Sequence, residues 1–227
     1  MSKIRFAVLG CGGISVSHVE GIISSPAAEL TAVCDVYESS AKRFGEQYGV
    51  PYETDYDKLL ARNDVDVVCI CTPSGLHAIQ TIQAAQAGKH VICEKPLAIK
   101  KEDAERMIEA CRQHGVKLAS VLPRRLSPAA QYVKRLIEEG RLGKLSLCSG
   151  YGRYYRDQAY YDSAGWRGTW EMDGGGAMMN QGIHTIDLLQ WLAGPVETLN
   201  GYARTVLRDI EVEDTAVAVL SYRNGAL

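Results

Sequence analysis

No stretch of the 227-residue sequence holds the ~18 consecutive apolar residues of a membrane-spanning helix. The N-terminus, Met1-Ser2-Lys3-Ile4-Arg5, leads only into a short apolar run broken by Gly10, Gly12 and Gly13, which is not a signal-peptide pattern. Positive charge is not in surplus: 25 Lys and Arg stand against 27 Asp and Glu, a net of −2, so the basic stripe of a nucleic-acid binder is missing. The 7 cysteines form no Cys-x-x-Cys pair, which removes the zinc-ribbon and thioredoxin-type motifs. Most lie in apolar runs such as Val68-Cys69-Ile70-Cys71, where a free thiol acts as a small hydrophobe in a reducing, cytoplasmic setting. Internal repeats, low-complexity segments and charge runs are also missing.

What is present is an ordinary globular composition, 46% apolar and 23% charged, enough for one or two domains with proper cores. The first half alternates short apolar runs with helical segments. Strands are predicted at 4–9, 30–34, 65–71, 90–93 and 116–121, with helices to about 25 and over 39–48, 75–87 and 102–114. Strands apolar on both faces and separated by helices imply a parallel sheet covered on both sides. Near Pro123 the character changes. A helix over 128–139 leads to an alternating, tyrosine-rich strand over 145–156, a helix over 185–192, and strands over 196–207 and 215–222. The domain boundary is placed at 122/123, between an α/β domain and an α+β domain.

Gly10-Cys11-Gly12-Gly13-Ile14-Ser15 follows a strand and opens a helix, the setting of a dinucleotide phosphate loop. Gly10 permits the tight turn, Gly12 lets the backbone approach a pyrophosphate, and the N–H groups at the helix start face it. Ser15 departs from the small residue usual at its position. Asp35 closes the second strand, where a carboxylate binds ribose hydroxyls and repels a 2′-phosphate. Val36, Tyr37, Glu38 and Ser39 offer no arginine, so NAD is favoured over NADP. After the fourth strand comes Glu94-Lys95-Pro96, at the carboxyl end where ligands bind open parallel sheets. Lys95 there can take a hydroxyl proton, or it is a surface lysine in a proline-ended loop. The third signal is Asp173-Gly174-Gly175-Gly176, running through Asn180 and His184 to Asp187. Three glycines suggest close approach to something bulky, and Asp187 can orient the His184 ring. A structural histidine is the alternative. No second histidine or cysteine sits at ligand spacing, so no metal is expected.

These motifs, with Thr72-Pro73, His77 and Gly88-Lys89-His90-Val91, resemble the glucose–fructose oxidoreductase / inositol dehydrogenase / MocA (Gfo/Idh/MocA) family. The resemblance implies a doubly wound Rossmann domain followed by an open, mostly antiparallel sheet domain. It implies NAD as cofactor, Lys95 and His184 as catalytic residues, and a Lys95–Pro96 bond that is often cis. Cofactor contacts are implied at Gly10, Gly12, Gly13, Ile14, Asp35, Thr72, Pro73, His77, Glu94, Lys95 and Arg125. The implied substrate is a sugar, sugar acid, nucleotide sugar or polyol, lying between sheet and nicotinamide. Asn180 stands where many polyol dehydrogenases carry aspartate, so it binds a hydroxyl and leaves proton transfer to Lys95 and His184. Gly165-Trp166-Arg167-Gly168-Thr169-Trp170 is similar to members acting on sugars, including nucleotide-sugar acids. Tyr161 and Trp166 can stack on sugar faces, while Arg156 and Arg167 can pair with a carboxylate or phosphate. Two alternatives stand beside a dehydrogenase: an NAD-using glycosidase or epimerase with transient oxidation, and a non-catalytic dinucleotide sensor. Relatives usually form homo-oligomers, dimers or tetramers, through the sheet domain. The resemblance also implies that the second domain continues past residue 227. Asn224-Gly225 reads as a hairpin turn with Ala226 and Leu227 starting a returning strand.

Overall fold

Val8 and its neighbours explain why the first strands read as unbroken apolar runs. Ala7 and Leu9 join one buried cluster with Leu59, Ala84 and Met107, whereas Val8 joins another with Val19, Ile22 and Phe44. Both faces of each strand are covered, so hydrophobic and polar residues do not alternate. The computed structural model describes residues 2–227. The chain divides into two compact units, Met1–Val121 and Leu122–Leu227.

In the first unit the order is β1 (Ile4–Leu9), α1 (Gly13–Ser24), β2 (Ala28–Cys34), α2 (Glu38–Tyr48), β3 (Tyr52–Glu53), α3 (Tyr56–Leu60), β4 (Val67–Ile70), α4 (His77–Gln86), β5 (His90–Cys93), α5 (Lys101–Gln113) and β6 (Leu118–Ser120). The six strands form one parallel sheet in the order β3-β2-β1-β4-β5-β6. This is the doubly wound Rossmann arrangement, and its switch point lies between β1 and β4. Leu9 pairs with both Cys34 and Ile70, so the loops after β1, β2 and β4 emerge together at the carboxyl edge. Five strands were expected. The sixth, β3, has only two residues, too few for a periodic signal, and it pairs Val33 and Cys34 at the sheet edge. The first turn of the expected helix 75–87 is instead a 3-10 turn, Ser74–Leu76, before α4.

The second unit begins with a 3-10 turn at Pro123–Leu126, followed by α6 (Pro128–Glu138), α7 (Gln158–Asp162), a π-helical turn (Met178–Gly182), α8 (Ile183–Ala193), β7 (Val196–Arg204) and β8 (Thr215–Tyr222). Ser127 caps α6 by accepting from the Ala130 N–H at 3.2 Å, with Pro128 in the first turn. β7 and β8 form a two-stranded antiparallel sheet. The strand expected over 145–156 is not formed: no strand is assigned along the segment. It makes two pairing bonds near its start, Cys148 N–H to the Leu227 carbonyl at 2.7 Å and Leu227 N–H to the Ser146 carbonyl at 3.0 Å. Alternation alone does not make a ladder without a partner strand. The turn at Asn224-Gly225 is formed, with Gly225 at φ +86°, and it leads Leu227 onto this segment. Leu199, Tyr202, Val217 and Val219 on the hairpin are exposed.

Candidate functional site

The loop after β1 is shaped by three glycines with different demands. Gly10 has φ +91°, and an added Cβ would sit 2.8 Å from the Cys71 carbonyl oxygen. Only glycine fits there. At Gly12 and Gly13 an added Cβ would meet no atom within 4 Å. The chain itself does not need those two residues to be glycine, so the open space suits an approaching ligand. α1 starts at Gly13 with no side-chain cap, which leaves its first N–H groups for an anion. The Ser15 hydroxyl donates to the Gly12 carbonyl at 2.5 Å and is fully buried, so this departure from the expected pattern closes the loop. Asp35 Oδ2 accepts from Cys11 N–H at 2.8 Å and Oδ1 from Tyr37 N–H at 2.9 Å. One backbone donor per oxygen leaves lone pairs on both for ribose hydroxyls. Uncapped helix, open glycines and half-buried carboxylate fit a dinucleotide. Ile14, beside them, is exposed.

The turn after β5 is held by its neighbours. Glu94 is 6% exposed, with Oε1 2.9 Å from His18 Nε2 and Oε2 accepting the Lys95 N–H at 3.1 Å. Burial pushes the Glu94 pKa up, but the His18 hydrogen bond and the Lys95 N–H outweigh it, and the carboxyl lies below its ordinary value. Lys95–Pro96 is cis. His77 is 1% exposed, with Nδ1 2.8 Å from the Pro96 carbonyl and Nε2 3.0 Å from the Thr72 carbonyl. His77 and Glu94, both expected among the cofactor contacts, are buried and hydrogen-bonded in this way. Thr72 donates its hydroxyl to Gln80 Oε1 at 2.5 Å, and Pro73 leads the 3-10 turn. Burial drives the Cys11, Cys34, Cys69 and Cys93 thiols up to about 12, far from a reactive thiolate.

In the second unit a cavity of about 170 Å³ is lined by Tyr154, Tyr155, Arg156, Tyr161, Asn180 and Arg208, with Asp173 and Asp214. Three predicted substrate residues, Arg156, Tyr161 and Asn180, line it. Two do not: Arg167 lies over Tyr160 (4.3 Å) and Trp166 (4.7 Å) and so backs the wall that Tyr160 contributes. Arg156 lies 4.9 Å over the Tyr160 ring, and Arg208 5.3 Å over Tyr155. The ion pairs among the described residues do not include Arg156, Arg167 or Arg208. The Nε atoms of Arg156 and Arg167 are buried without a hydrogen-bond partner. Asp214 is occupied by the N–H groups of Val206, Leu207 and Arg208 at 3.0, 2.7 and 2.8 Å. Burial raises its pKa, but these three donors outweigh that and leave it below the ordinary carboxyl value. Buried Asp173 accepts from Gly168 N–H at 3.0 Å and lies 3.5 Å from Asn180 Nδ2.

Two expectations are corrected. Asp187 does not orient His184; it forms a two-oxygen pair with the Arg125 guanidinium, Nε lying 3.0 and 2.8 Å from its oxygens. Arg125, named above among the cofactor contacts, is the partner of Asp187. The triple glycine packs against the chain itself: a Cβ at Gly176 would lie 1.8 Å from the Glu213 carbonyl oxygen. Glu213, unnoticed in the sequence, accepts Ala177 N–H on its carbonyl at 2.8 Å and Met178 N–H on its carboxylate at 2.9 Å. It anchors the π-helical turn that carries Asn180, just before His184 in the first turn of α8. Single-turn π segments recur at functional sites. Arg208 was also missed, because it lies in a loop with no periodic signal.

Residues 4–121 match the oxidoreductase family model for the NAD-binding Rossmann fold, and 130–227 match the GFO/IDH/MocA C-terminal domain. The chain belongs to the Gfo/Idh/MocA oxidoreductase family. Its relatives include the myo-inositol 2-dehydrogenase of Thermotoga maritima, 31% identical over 99% of this chain and 66% of that protein. The levoglucosan dehydrogenase of Pseudarthrobacter phenanthrenivorans is 28% identical over 92% of this chain and 57% of that one. Among solved structures, the WlbA dehydrogenase of Bordetella pertussis, in complex with NADH and UDP-GlcNAcA, is 44% identical with a TM-score of 0.96, over 99% of this chain and 65% of that one. The chain spans 50 to 70% of the length of the curated relatives it matches. No helix among the described residues is long and apolar enough to cross a membrane.

Proposed function

We propose that this chain is the NAD-binding and substrate-binding part of a dehydrogenase acting on a secondary alcohol of an acidic sugar, with a nucleotide-linked sugar acid as the leading substrate class. The observation that carries the substrate class is the tyrosine-lined cavity with Arg156 and Arg208 in its wall, their guanidiniums lying over the Tyr160 and Tyr155 rings. A guanidinium in such a place suits a carboxylate or phosphate, and tyrosine faces suit a sugar ring. The WlbA proteins, solved with UDP-GlcNAcA, support the same class.

Gly10, Gly12, Gly13 and the start of α1 hold the pyrophosphate, and Asp35 holds the adenosine ribose. NAD, when bound, supplies the acceptor for the hydride that leaves the carbinol carbon. Lys95 takes the hydroxyl proton, with His184 as the second proton-handling group. Asn180 binds a neighbouring hydroxyl, which its amide can do without titrating. Arg156 and Arg208 bind the anionic group. Fixed position and preset charge provide most of the barrier reduction.

The test follows NADH absorbance over a panel of neutral sugars, inositols, uronic acids and UDP-linked sugar acids, with Lys95→Ala and Arg156→Ala alongside. Turnover confined to acidic substrates, lost in Lys95→Ala, is expected. Equal turnover of neutral and acidic members overturns the substrate class, and undiminished turnover in Lys95→Ala overturns its role. Product formed without net NADH points instead to transient oxidation.

A further inference from the structure

We propose that His18 and His77 are positioning residues for Lys95, gripping its turn at the residue before and the residue after. The idea rests on the reading of Lys95 as proton acceptor. His18 belongs to α1, the helix that opens at the dinucleotide loop, and His77 to the first turn of α4. His18 Nε2 meets Glu94 Oε1 at 2.9 Å, with the two side chains only 11% and 8% exposed. The other Glu94 oxygen accepts the Lys95 N–H at 3.1 Å. On the far side, His77 Nδ1 meets the Pro96 carbonyl at 2.8 Å and Nε2 the Thr72 carbonyl at 3.0 Å. With the one N–H of the neutral His77 ring on Nδ1, toward the Pro96 carbonyl, the two imidazoles tie α1 and α4 to one short turn.

The sheet does not do this work. The last main-chain ladder bond reaching the turn is Glu94 N–H to the Ile70 carbonyl at 3.0 Å. Burying a carboxylate and an imidazole costs free energy unless each is hydrogen-bonded. A surface loop would have no use for two such groups. A lysine reaches its target on a flexible four-carbon stem, so a fixed Cα narrows the volume that the ammonium samples. The charged and titratable groups that act on Glu94 or on which it acts are His18, Lys95, His77 and the thiols of Cys69, Cys71 and Cys93. Of these, His18 and the Lys95 main chain bond it directly.

The experiment uses the intact chain with side chains that keep or remove each donor. His18→Gln keeps an N–H near the Nε2 position and His18→Leu removes it. His77→Asn keeps one near Nδ1 and His77→Leu removes it. Amide hydrogen exchange at Lys95 is measured without substrate, NADH affinity by fluorescence, and kcat and KM on the acidic-sugar panel. Each Leu variant is expected to speed Lys95 exchange about tenfold, as for one lost net hydrogen bond. Each is also expected to lower kcat about tenfold, with NADH affinity held within about threefold. The Gln and Asn variants recover exchange and kcat to within about threefold of wild type. Where a Leu variant does not fold, His18→Asn and His77→Gln serve, being polar but aimed away from Glu94 and Pro96. Unchanged Lys95 exchange in the donor-lacking variants overturns the proposal, as does a Gln or Asn variant failing as badly as Leu. A wild-type chain that binds NADH yet turns over no sugar overturns the dehydrogenase reading instead, and the exchange data still decide whether the histidines hold the turn.

Discussion

Gly10, Gly12 and Gly13 stand almost adjacent, yet substitution should act on them through different physics. At Gly10 a methyl group meets a left-handed φ and a carbonyl oxygen at 2.8 Å. The left-handed penalty alone is ~1–2 kcal/mol, so Gly10→Ala should lower stability by at least that, read as a lower urea midpoint with an unchanged slope. At Gly12 and Gly13 a methyl group enters open space. Gly12→Ala should leave the midpoint nearly unchanged and weaken NADH binding by about tenfold or more, measured by fluorescence. His77 yields a pH prediction of determinate sign. Burial lowers its pKa from 6.5, against the two carbonyls that favour the charged ring. The unfolded chain therefore takes up the proton first. The neutral ring's contribution is whole above about 6.5 and is lost as pH falls below it. Urea midpoints measured between pH 8 and 5 should fall in wild type, and His77→Asn should flatten that slope.

At the scale of elements, Glu213 links a strand entry to the π-helical turn. Glu213→Ala removes the acceptor of the Met178 N–H inside a buried setting, which should cost ~1–3 kcal/mol. The fastest change in amide exchange should appear at Met178. The same link explains what the sequence could and could not disclose. The strands 4–9 and 90–93 were legible because both sheet faces are apolar, and the glycine loop because its spacing is local. Local capping made α6 legible as well. β3 was too short to carry a period, and the 145–156 segment carried one but lacks a ladder partner. Three glycines before Ala177 read as room for a ligand because nothing local announces that Glu213 will lie against Gly176. Likewise Arg125–Asp187 and His18–Glu94 are pairs that only the fold brings together, 62 and 76 residues apart. The candidate site was therefore readable where its residues are sequence neighbours and unreadable where they are partners at a distance.

For the whole molecule, the two units divide the chemistry in a way that can be tested independently. Every residue assigned to the pyrophosphate and adenosine ribose lies within Met1–Val121, a unit whose buried apolar clusters, with Phe44, Leu59 and Met107, are formed from its own residues. The described residues lining the cavity with Arg156, Tyr161 and Asn180 belong to Leu122–Leu227. Asp35 and Arg156 have no bonding partner in common, so their substitutions should act nearly independently. Asp35→Ala should weaken NADH binding about tenfold, through loss of the ribose contacts and of the brace on Cys11 and Tyr37. Binding of an acidic sugar nucleotide, measured by calorimetry without cofactor, should not change. Arg156→Ala should do the reverse, leaving NADH affinity as it is and weakening the sugar acid by about tenfold or more, as expected for a lost charge-assisted pair. Raising salt should weaken the wild-type sugar interaction and have less effect on what remains in Arg156→Ala, because screening acts on the charge that has been removed. If Arg156→Ala instead weakens NADH and sugar equally, the anion is not held by the arginine cavity, and the acidic-sugar reading fails with it.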